Sequence, residues 1–274
     1  MINSYTSWQP LEAVIVGCAY SPDYFDFLED TQVRNQLQQI LSETAEDLNN
    51  LQRTIEQYGA KVYRPALPDK DRFIKNQCNN QVPIPPLTPR DWQISLGQKL
   101  LRIIPVPELD NVCNKFADQI VNPHRGPWDP DCVLNGASAS CIVRVGRDIF
   151  FDNSDFLRPE QTRWIVENVL GPEYRIHEAV TDGHGDAVFA ILKPGVILSS
   201  KHDENLNFER DFPGWEVLRI MDSSIDAAMA AGKFRHENGP QSWYVTGQTP
   251  TPEFSQYVDT YLTEWTGFVA ETVF

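Results

Sequence analysis

The stretch that decides the fold is Cys141–Phe151, whose sequence is CIVRVGRDIFF. Two runs rich in β-branched and aromatic residues flank Gly146, and a glycine between two such runs is typical of a β-hairpin turn. Two further stretches share this design, each around its own glycine: Trp92–Ile104 (WQISLGQKLLRII) and Ala187–Ser199 (AVFAILKPGVILS). The sequence therefore predicts three hairpins of one kind.

The three hairpin glycines are evenly spaced along the chain. Gly97, Gly146 and Gly195 lie 49 residues apart in both intervals, and a fixed period of this size indicates repeated supersecondary units, as in a propeller or an array. Between the second and third hairpins, helix-start residues and apolar spacing predict a helix over Pro159–Leu170, which is followed by a strand over Tyr174–Val180. The expected unit is hairpin, helix, strand.

Segments outside the three hairpins also have clear patterns. We expect strands over Leu11–Gly17 and Ala60–Pro65, with a long amphipathic helix over Gln32–Tyr58 between them, and another helix that begins near Thr251. The last residues, Glu271–Phe274, have β-like character. A ring of repeats without its last unit exposes unpaired backbone groups. We therefore expect the end of this chain to be continued by a longer polypeptide or covered by a partner.

Composition excludes several classes of partner. The 274 residues carry a formal net charge of −15, which repels nucleic acid and anionic membrane surfaces and attracts small cations. No apolar run is long enough to span a membrane and no signal peptide is evident, so we expect a cytoplasmic globular protein with one large domain. The five cysteines follow no metal-ligand spacing, which predicts a reducing compartment and no metal site.

His184 and Asp186 are the first candidates for chemistry. They lie in Gly183-His184-Gly185-Asp186, at the start of the third hairpin. Glycines permit close approach of a ligand, and an imidazole two residues from a carboxylate can share one strand face with it, where the pair can move protons and hold a cation. A structural histidine in a glycine-rich turn is the alternative.

Two other segments carry charged residues beside a hairpin. Arg144-Val145-Gly146-Arg147-Asp148 reads most simply as a turn with a solvated ion pair, and Thr88–Asp91 reads as a junction between a loop and a strand. Asp91 can also accept hydrogen bonds from a guanidinium, whose planar fork matches a carboxylate. The motifs of serine hydrolases, P-loop proteins, zinc proteases and Rossmann dinucleotide-binding proteins are absent from the sequence.

Taken in order, these segments resemble the glycine and inosamine-phosphate amidinotransferase family, and among its members the forms carried by cyanobacterial viruses. The motifs that carry the resemblance are Trp8–Gly17 (WQPLEAVIVG), Thr88–Asp91 (TPRD), Arg144–Phe150 (RVGRDIF), His184–Ala187 (HGDA) and Lys193–Leu198 (KPGVIL). The resemblance implies an α/β (α+β) pentein, a pseudo-fivefold propeller of ββαβ units, here without its last unit. It also implies transfer of an amidino group from L-arginine to an amine such as glycine, through a cysteine and without a cofactor.

The resemblance also implies roles for individual residues. His184 matches the catalytic histidine of the family, and Asp186 and Asp91 match carboxylates that bind the guanidinium. Ser138 stands at the position of the family's catalytic aspartate, and Cys141 at that of a second aspartate. The arginine that binds the substrate carboxylate is replaced by Asp203, and Lys201 is the neighbouring candidate for that role.

No cysteine of the sequence stands where the family has its nucleophile, which follows the last helix. We therefore expect an amidinotransferase homologue that is inactive as an isolated chain. One alternative is a non-catalytic protein that binds guanidines or pairs with an intact homologue. As partners we expect a second copy of the chain, in a homo-oligomer, or a polypeptide that supplies the C-terminal unit. Another is a hydrolase of the arginine deiminase or dihydrolase type, in which water replaces the amine.

Overall fold

The computed structural model describes residues 1–78, 86–125, 129–153, 157–181, 184–200, 206–220 and 251–261. The chain divides into two compact units. We call Met1–Glu12 with Thr88–Met221 the repeat-bearing unit, and Ala13–Leu87 with Asp222–Phe274 the helix-bearing unit. Within the described ranges, no helix has the length and apolar character needed to cross a bilayer.

The helix-bearing unit begins with a strand, a long helix and a second strand: β1 (Ala13–Ile15), α1 (Thr31–Gln57) and β2 (Lys61–Tyr63). The two strands pair in parallel. Asp30 caps α1, because its side chain accepts hydrogen bonds from the backbone N–H groups at the start of the helix. The predicted long helix is thus confirmed to within one residue at each end.

The core of this unit forms on one face of α1. Val33, Leu37 and Leu41 recur every fourth residue and are buried. They pack in one cluster with Tyr20, Phe25, Phe73 and Phe254. Phe73 lies in α2 (Lys70–Cys78), and Phe254 lies in the last helix described, Pro252–Tyr261.

The repeat-bearing unit contains three successive ββαβ repeats, as the sequence predicts. The first repeat consists of α3 (Pro89–Trp92), β3 (Gln93–Leu96), β4 (Lys99–Arg102), α4 (Asp110–Cys113) and β5 (Ile120–Val121). The second consists of a short 3₁₀ helix (Ala139–Cys141), β6 (Ile142–Val145), β7 (Asp148–Asp152), α5 (Pro159–Asn168) and β8 (Arg175–Ala179). The third consists of α6 (Gly185–Val188), β9 (Phe189–Lys193), β10 (Val196–Ser199), α7 (Phe208–Asp211) and β11 (Glu216–Arg219). In each repeat the first two strands form an antiparallel hairpin, and the third pairs in parallel with the second.

The hairpin turns confirm the role of the three glycines but reveal one irregularity. Gly97, Gly146 and Gly195 all have positive φ, of 60°, 72° and 85°, a conformation that glycine adopts without steric cost. The first two glycines follow their strand directly, whereas Gly195 comes after Pro194, in the second turn position. The register of the third hairpin shifts at Val196. The even glycine spacing therefore conceals a shift of one residue in the third repeat.

Strand β7 joins the cores of neighbouring repeats. All five of its residues are buried, and successive side chains of a strand point to opposite faces. Ile149 and Phe151 pack in a cluster with Ile94 and Leu101 of the first repeat. Phe150 packs on the other side, in a cluster with residues of the third repeat. A strand buried on both faces explains the consecutive apolar residues Ile149–Phe151.

The N-terminal segment crosses all three hairpins. Ser4 forms a two-way backbone bridge with Gly97, whose distances are 2.8 and 3.0 Å. The N–H of Gly146 donates to the carbonyl of Tyr5 at 2.9 Å, and the hydroxyl of Ser7 donates to the carbonyl of Ile191 at 2.9 Å. These contacts place residues 1–12 with the repeats and hold the hairpins in a common arrangement.

Candidate functional site

The candidate site lies where the short helices at the start of the three repeats meet. The 3₁₀ helix Ala139–Cys141 contacts both α3 and α6. Because each short helix leads into the first strand of its own hairpin, the repeat brings equivalent positions of the three units together. Four of the predicted site residues are on or next to these helices: Asp91, Ser138, His184 and Asp186. The fifth, Lys201, lies outside the described residues.

Arg90 connects the three short helices. Its guanidinium donates from Nη1 to the carbonyl of Ala139 and from Nη2 to the carbonyl of Ile142, the latter at 2.6 Å. The same Nη2 lies 3.5 Å from Oδ2 of Asp186, in an ion pair whose two side chains are 38% and 35% exposed. Burial lowers the pKa of Arg90, whereas the charges of Asp186 and Asp91 oppose that shift. Sequence analysis missed this residue, although TPRD contains it.

Asp186 is the most perturbed of the predicted carboxylates. Burial raises its pKa, and the negative charge of Asp91 raises it further, while Arg90 and His184 act in the opposite direction. Asp91 is therefore close enough to Asp186 to affect the pKa of Asp186. A carboxylate that is penalised by burial and by a second carboxylate is stabilised by a cation such as a guanidinium.

The arrangement of His184 and Asp186 corrects one prediction. The two residues were expected on one face of a strand, but residues 185–188 form α6, and His184 precedes it in an extended conformation. Only Asp186 of the two lies on the helix, so the alternation of a strand does not relate their side chains. The half-buried His184 lies close enough to lower the pKa of Asp186, so the pair belongs to one site although it does not share a strand face.

Ser138 adopts a local capping role. Its side-chain oxygen lies 2.5 Å from the hydroxyl oxygen of Ser140 and accepts a hydrogen bond from the backbone N–H of the same residue at 3.4 Å. It thereby caps the 3₁₀ helix Ala139–Cys141. A hydroxyl supplies no negative charge, so a histidine in this site cannot receive a counter-charge from position 138.

The charged motif around Gly146 also departs from prediction. The expected solvated ion pair within the turn is wrong, because Asp148 is buried and binds residues of β8: Nη2 of Arg175 lies 2.6 Å and Nε2 of His177 lies 2.7 Å from its oxygens. Arg144 is half-buried in β6 and donates from Nη1 to the carbonyl of Ser95 at 3.0 Å. Burial and the neighbouring Arg90 lower the pKa of Arg144 to about 10. In the sequence, the signal for this half-buried cation is an arginine within the otherwise apolar run Ile142–Val145.

The cysteines of the repeat-bearing unit are buried. Cys113, Cys132 and Cys141 are at most 8% exposed. Burial raises the pKa of Cys113 and of Cys132 above the ordinary value of a thiol, which disfavours the thiolate that nucleophilic attack requires. The three described cysteines of this unit are therefore structural in character.

Comparison with known proteins confirms the resemblance that the motifs indicate. An inosamine-phosphate amidinotransferase of Streptomyces griseus is 22% identical over 255 residues, which cover 75% of this chain and 72% of the relative. A second inosamine-phosphate amidinotransferase, from Streptomyces glaucescens, is 20% identical over 264 residues, or 80% of this chain and 75% of the relative. No model of a protein family matches the sequence.

Solved structures show the same fold. The inosamine-phosphate amidinotransferase from Streptomyces griseus superposes with a TM-score of 0.60 at 19% identity, over 81% of this chain and 76% of that one. An amidinotransferase of the saxitoxin biosynthetic pathway from Microseira wollei gives a TM-score of 0.57 at 19% identity, over 80% and 75%. A dimethylarginine dimethylaminohydrolase from Pseudomonas aeruginosa gives 0.50 at 12% identity, over 77% and 76%. The fold is therefore the α/β pentein that the resemblance implies.

Proposed function

We propose that this chain is an amidinotransferase-type pentein whose repeat-bearing unit binds a guanidine compound such as L-arginine. The observation that carries the proposal is the ion pair between Asp186 and the guanidinium of Arg90, next to a second carboxylate, Asp91, whose charge acts on both groups. The chain itself thus supplies a guanidinium beside Asp186, at 3.5 Å. A partly exposed pair of this kind contributes only about 0–1 kcal/mol, so a ligand can compete for the carboxylate.

Ionisation of the two carboxylates favours such a ligand. Each negative charge opposes the other, and burial adds a desolvation penalty at Asp186. A guanidinium offers five donors in a planar fork, so one ligand can pair with both carboxylates. Neutralisation of this repulsion supplies the driving force for binding.

His184 has the chemistry that amidino transfer requires next to this site. In the reaction that the resemblance implies, one amine leaves the guanidine carbon and another replaces it, so a proton is delivered to the first and removed from the second. Imidazole is suited to both steps because its ordinary pKa lies near neutrality. We assign His184 this role in the proposed reaction, with glycine as one acceptor to be tested.

We further propose that the isolated chain binds guanidines without consuming them. Three cysteines of the repeat-bearing unit are buried, and the pKa values of two are raised. The neutral Ser138 supplies no charge to orient an imidazolium. These two features favour the non-catalytic guanidine-binding alternative over turnover by this chain alone.

Calorimetric titration with L-arginine tests the binding proposal. We expect saturable binding by the wild-type chain and affinity weaker by about tenfold or more for Asp186→Asn, since a hydrogen bond to a charged group contributes roughly 1.5–3 kcal/mol. Asp118→Asn is the matched control because Asp118 is exposed and its replacement removes the same charge. Absence of binding, or equal weakening by both variants, would overturn the proposal.

Product analysis distinguishes the chemical alternatives. The chain is incubated with L-arginine and glycine, and ornithine, citrulline and ammonia are measured. We expect none of the three from the isolated chain. Ornithine together with an acceptor-derived guanidine would show transfer and contradict the absence of turnover, whereas citrulline or ammonia would identify a hydrolase.

A further inference from the structure

Arg144 has an unusual environment for a half-buried cation. One of its guanidinium nitrogens, Nη1, donates to the carbonyl of Ser95 at 3.0 Å. Its Nε is inaccessible to solvent and has no hydrogen-bond partner among the described residues. No carboxylate of the described part of the chain forms an ion pair with it. This guanidinium therefore has unused donor capacity.

The nearby charge that acts on Arg144 has the same sign. Arg90 opposes the protonation of Arg144, and burial adds to that effect. A guanidinium nevertheless keeps its proton at neutral pH. The structure thus holds two adjacent cations, of which Arg90 has a carboxylate partner in Asp186 and Arg144 has none in the described residues.

A buried charge without a counter-charge is costly. The uncompensated charge is explained if an anion from outside the chain completes the site. The fork of a guanidinium matches the oxygens of a carboxylate or a phosphate, with which it forms two parallel hydrogen bonds.

We propose that Arg144, with Arg90 beside it, forms an oxyanion subsite that takes a carboxylate or phosphate group of a substrate. Arg90 links this subsite to the carboxylates, since the same guanidinium pairs with Asp186 and acts on Arg144. A ligand with a cationic and an anionic end is therefore matched at both ends. The net charge of −15 repels anions in general, so a local pair of arginines is needed to bind one.

The ligand group has two chemical sources, which binding experiments separate. If it is the carboxylate of the donor amino acid, the inference rests on the proposed guanidine site. L-Arginine is then compared with agmatine, which has the same guanidinium but no carboxylate. If it is a phosphate of the other substrate, inorganic phosphate is the probe and no guanidine is needed.

Calorimetric titrations of the wild-type chain, Arg144→Met and Arg144→Lys test the subsite. The matched control is Arg147→Met, because Arg147 lies in the turn of the same hairpin, is exposed and carries the same charge. We expect Arg144→Met to lose about tenfold or more in affinity for phosphate, or in the preference for L-arginine over agmatine. Arg144→Lys should retain part of this binding, and Arg147→Met should retain all of it.

Two results would overturn the inference. One is that the wild-type chain neither binds phosphate nor prefers L-arginine to agmatine; the other is that Arg144→Met behaves as Arg147→Met does. Circular dichroism and urea unfolding establish that each variant is folded. Agmatine binding that depends on Asp186 but not on Arg144 would defeat this inference alone, whereas failure of both guanidines to bind would defeat the proposed function and leave the phosphate test standing.

Discussion

Two charged residues of the motif Arg144–Phe150, Arg144 and Asp148, are held by the fold in opposite ways. Asp148, at the start of β7, is saturated: Arg175 and His177 bind its two oxygens at 2.6 and 2.7 Å. Arg144, four residues earlier in β6, has a buried Nε without a partner in the described chain. One hairpin thus carries one charge that is neutralised by described residues and one that has no opposite charge among them.

His177 extends the saturated network into the third repeat. Its Nδ1 lies 3.4 Å from an oxygen of Asp211, and its ring stacks on that of Phe150, with centroids 4.6 Å apart. Phe212, which follows Asp211, stacks on the rings of both Phe150 and His177. Asp148, His177 and Asp211 therefore join β7, β8 and α7. The comparison indicates that the paired charge of Asp148 serves the architecture, whereas no described residue gives Arg144 such a role.

The largest effect on the free energy of unfolding is expected when the charge of Asp148 is removed. Asp148→Asn removes the buried negative charge that Arg175 and His177 both bind and leaves Asp211 as the described carboxylate beside the ring of His177. We expect the free energy of unfolding to fall by about 3 kcal/mol, as when one partner of a buried pair is removed. Urea denaturation measures this change. Asp118→Asn, on the surface, should change the same quantity by less than about 0.5 kcal/mol, and equal losses would contradict the architectural role.

The second prediction concerns the pH dependence of guanidine binding. Because burial raises the pKa of Asp186, this carboxyl stays protonated to a higher pH than an ordinary aspartate, whose pKa is about 3.9. A guanidinium binds the ionised form, so affinity for agmatine should rise with pH through the raised pKa and then level off. We expect a gain of about tenfold or more between the two limits, measured by calorimetry at several pH values.

The Asp186→Asn variant is the control for this pH profile. An amide does not titrate, so its affinity should be low at every pH and the rise should disappear. A profile that is the same in the variant and the wild type would assign the titration to another group.

A third prediction tests the unpaired charge directly. Arg144→Met loses the hydrogen bond to Ser95 but also removes an uncompensated cation from a half-buried position. These effects oppose each other, and replacement of buried charges by apolar residues is often neutral or stabilising. We therefore expect the free energy of unfolding to change by less than about 1 kcal/mol in urea denaturation. A loss as large as that of Asp148→Asn would show that both charges are architectural.

The smallest effect on the free energy of unfolding is expected for Arg175, the exposed partner of Asp148. The side chain of Arg175 is 75% exposed although it lies 2.6 Å from Asp148, and exposed pairs contribute about 0–1 kcal/mol. Arg175→Ala should lower the free energy of unfolding by an amount in this range, and the loss should shrink further in high salt. A large, salt-independent loss would show that Arg175, rather than His177, is the main partner of Asp148.

The sequence by itself determined the repeat and the long helix, and it named most residues of the candidate site. Positive-φ glycines between β-prone runs and apolar residues at helical spacing are local signals, so the three hairpins and α1 followed from them directly. His184, Asp186 and Asp91 were identified by motif, and the structure places them at one end of the repeats. The chemistry proposed for them still awaits experiment.

Only the tertiary structure decided which charges meet. Arg90 reaches carbonyls of the second repeat and a carboxylate of the third, and Asp148 binds a strand that begins 27 residues later. Residues 185–188 form a helix rather than a strand, which changes how His184 and Asp186 are arranged. Pairing of this kind depends on how the repeats pack, because a charge finds its partner through space, and a local pattern does not specify distances between segments that are far apart in sequence.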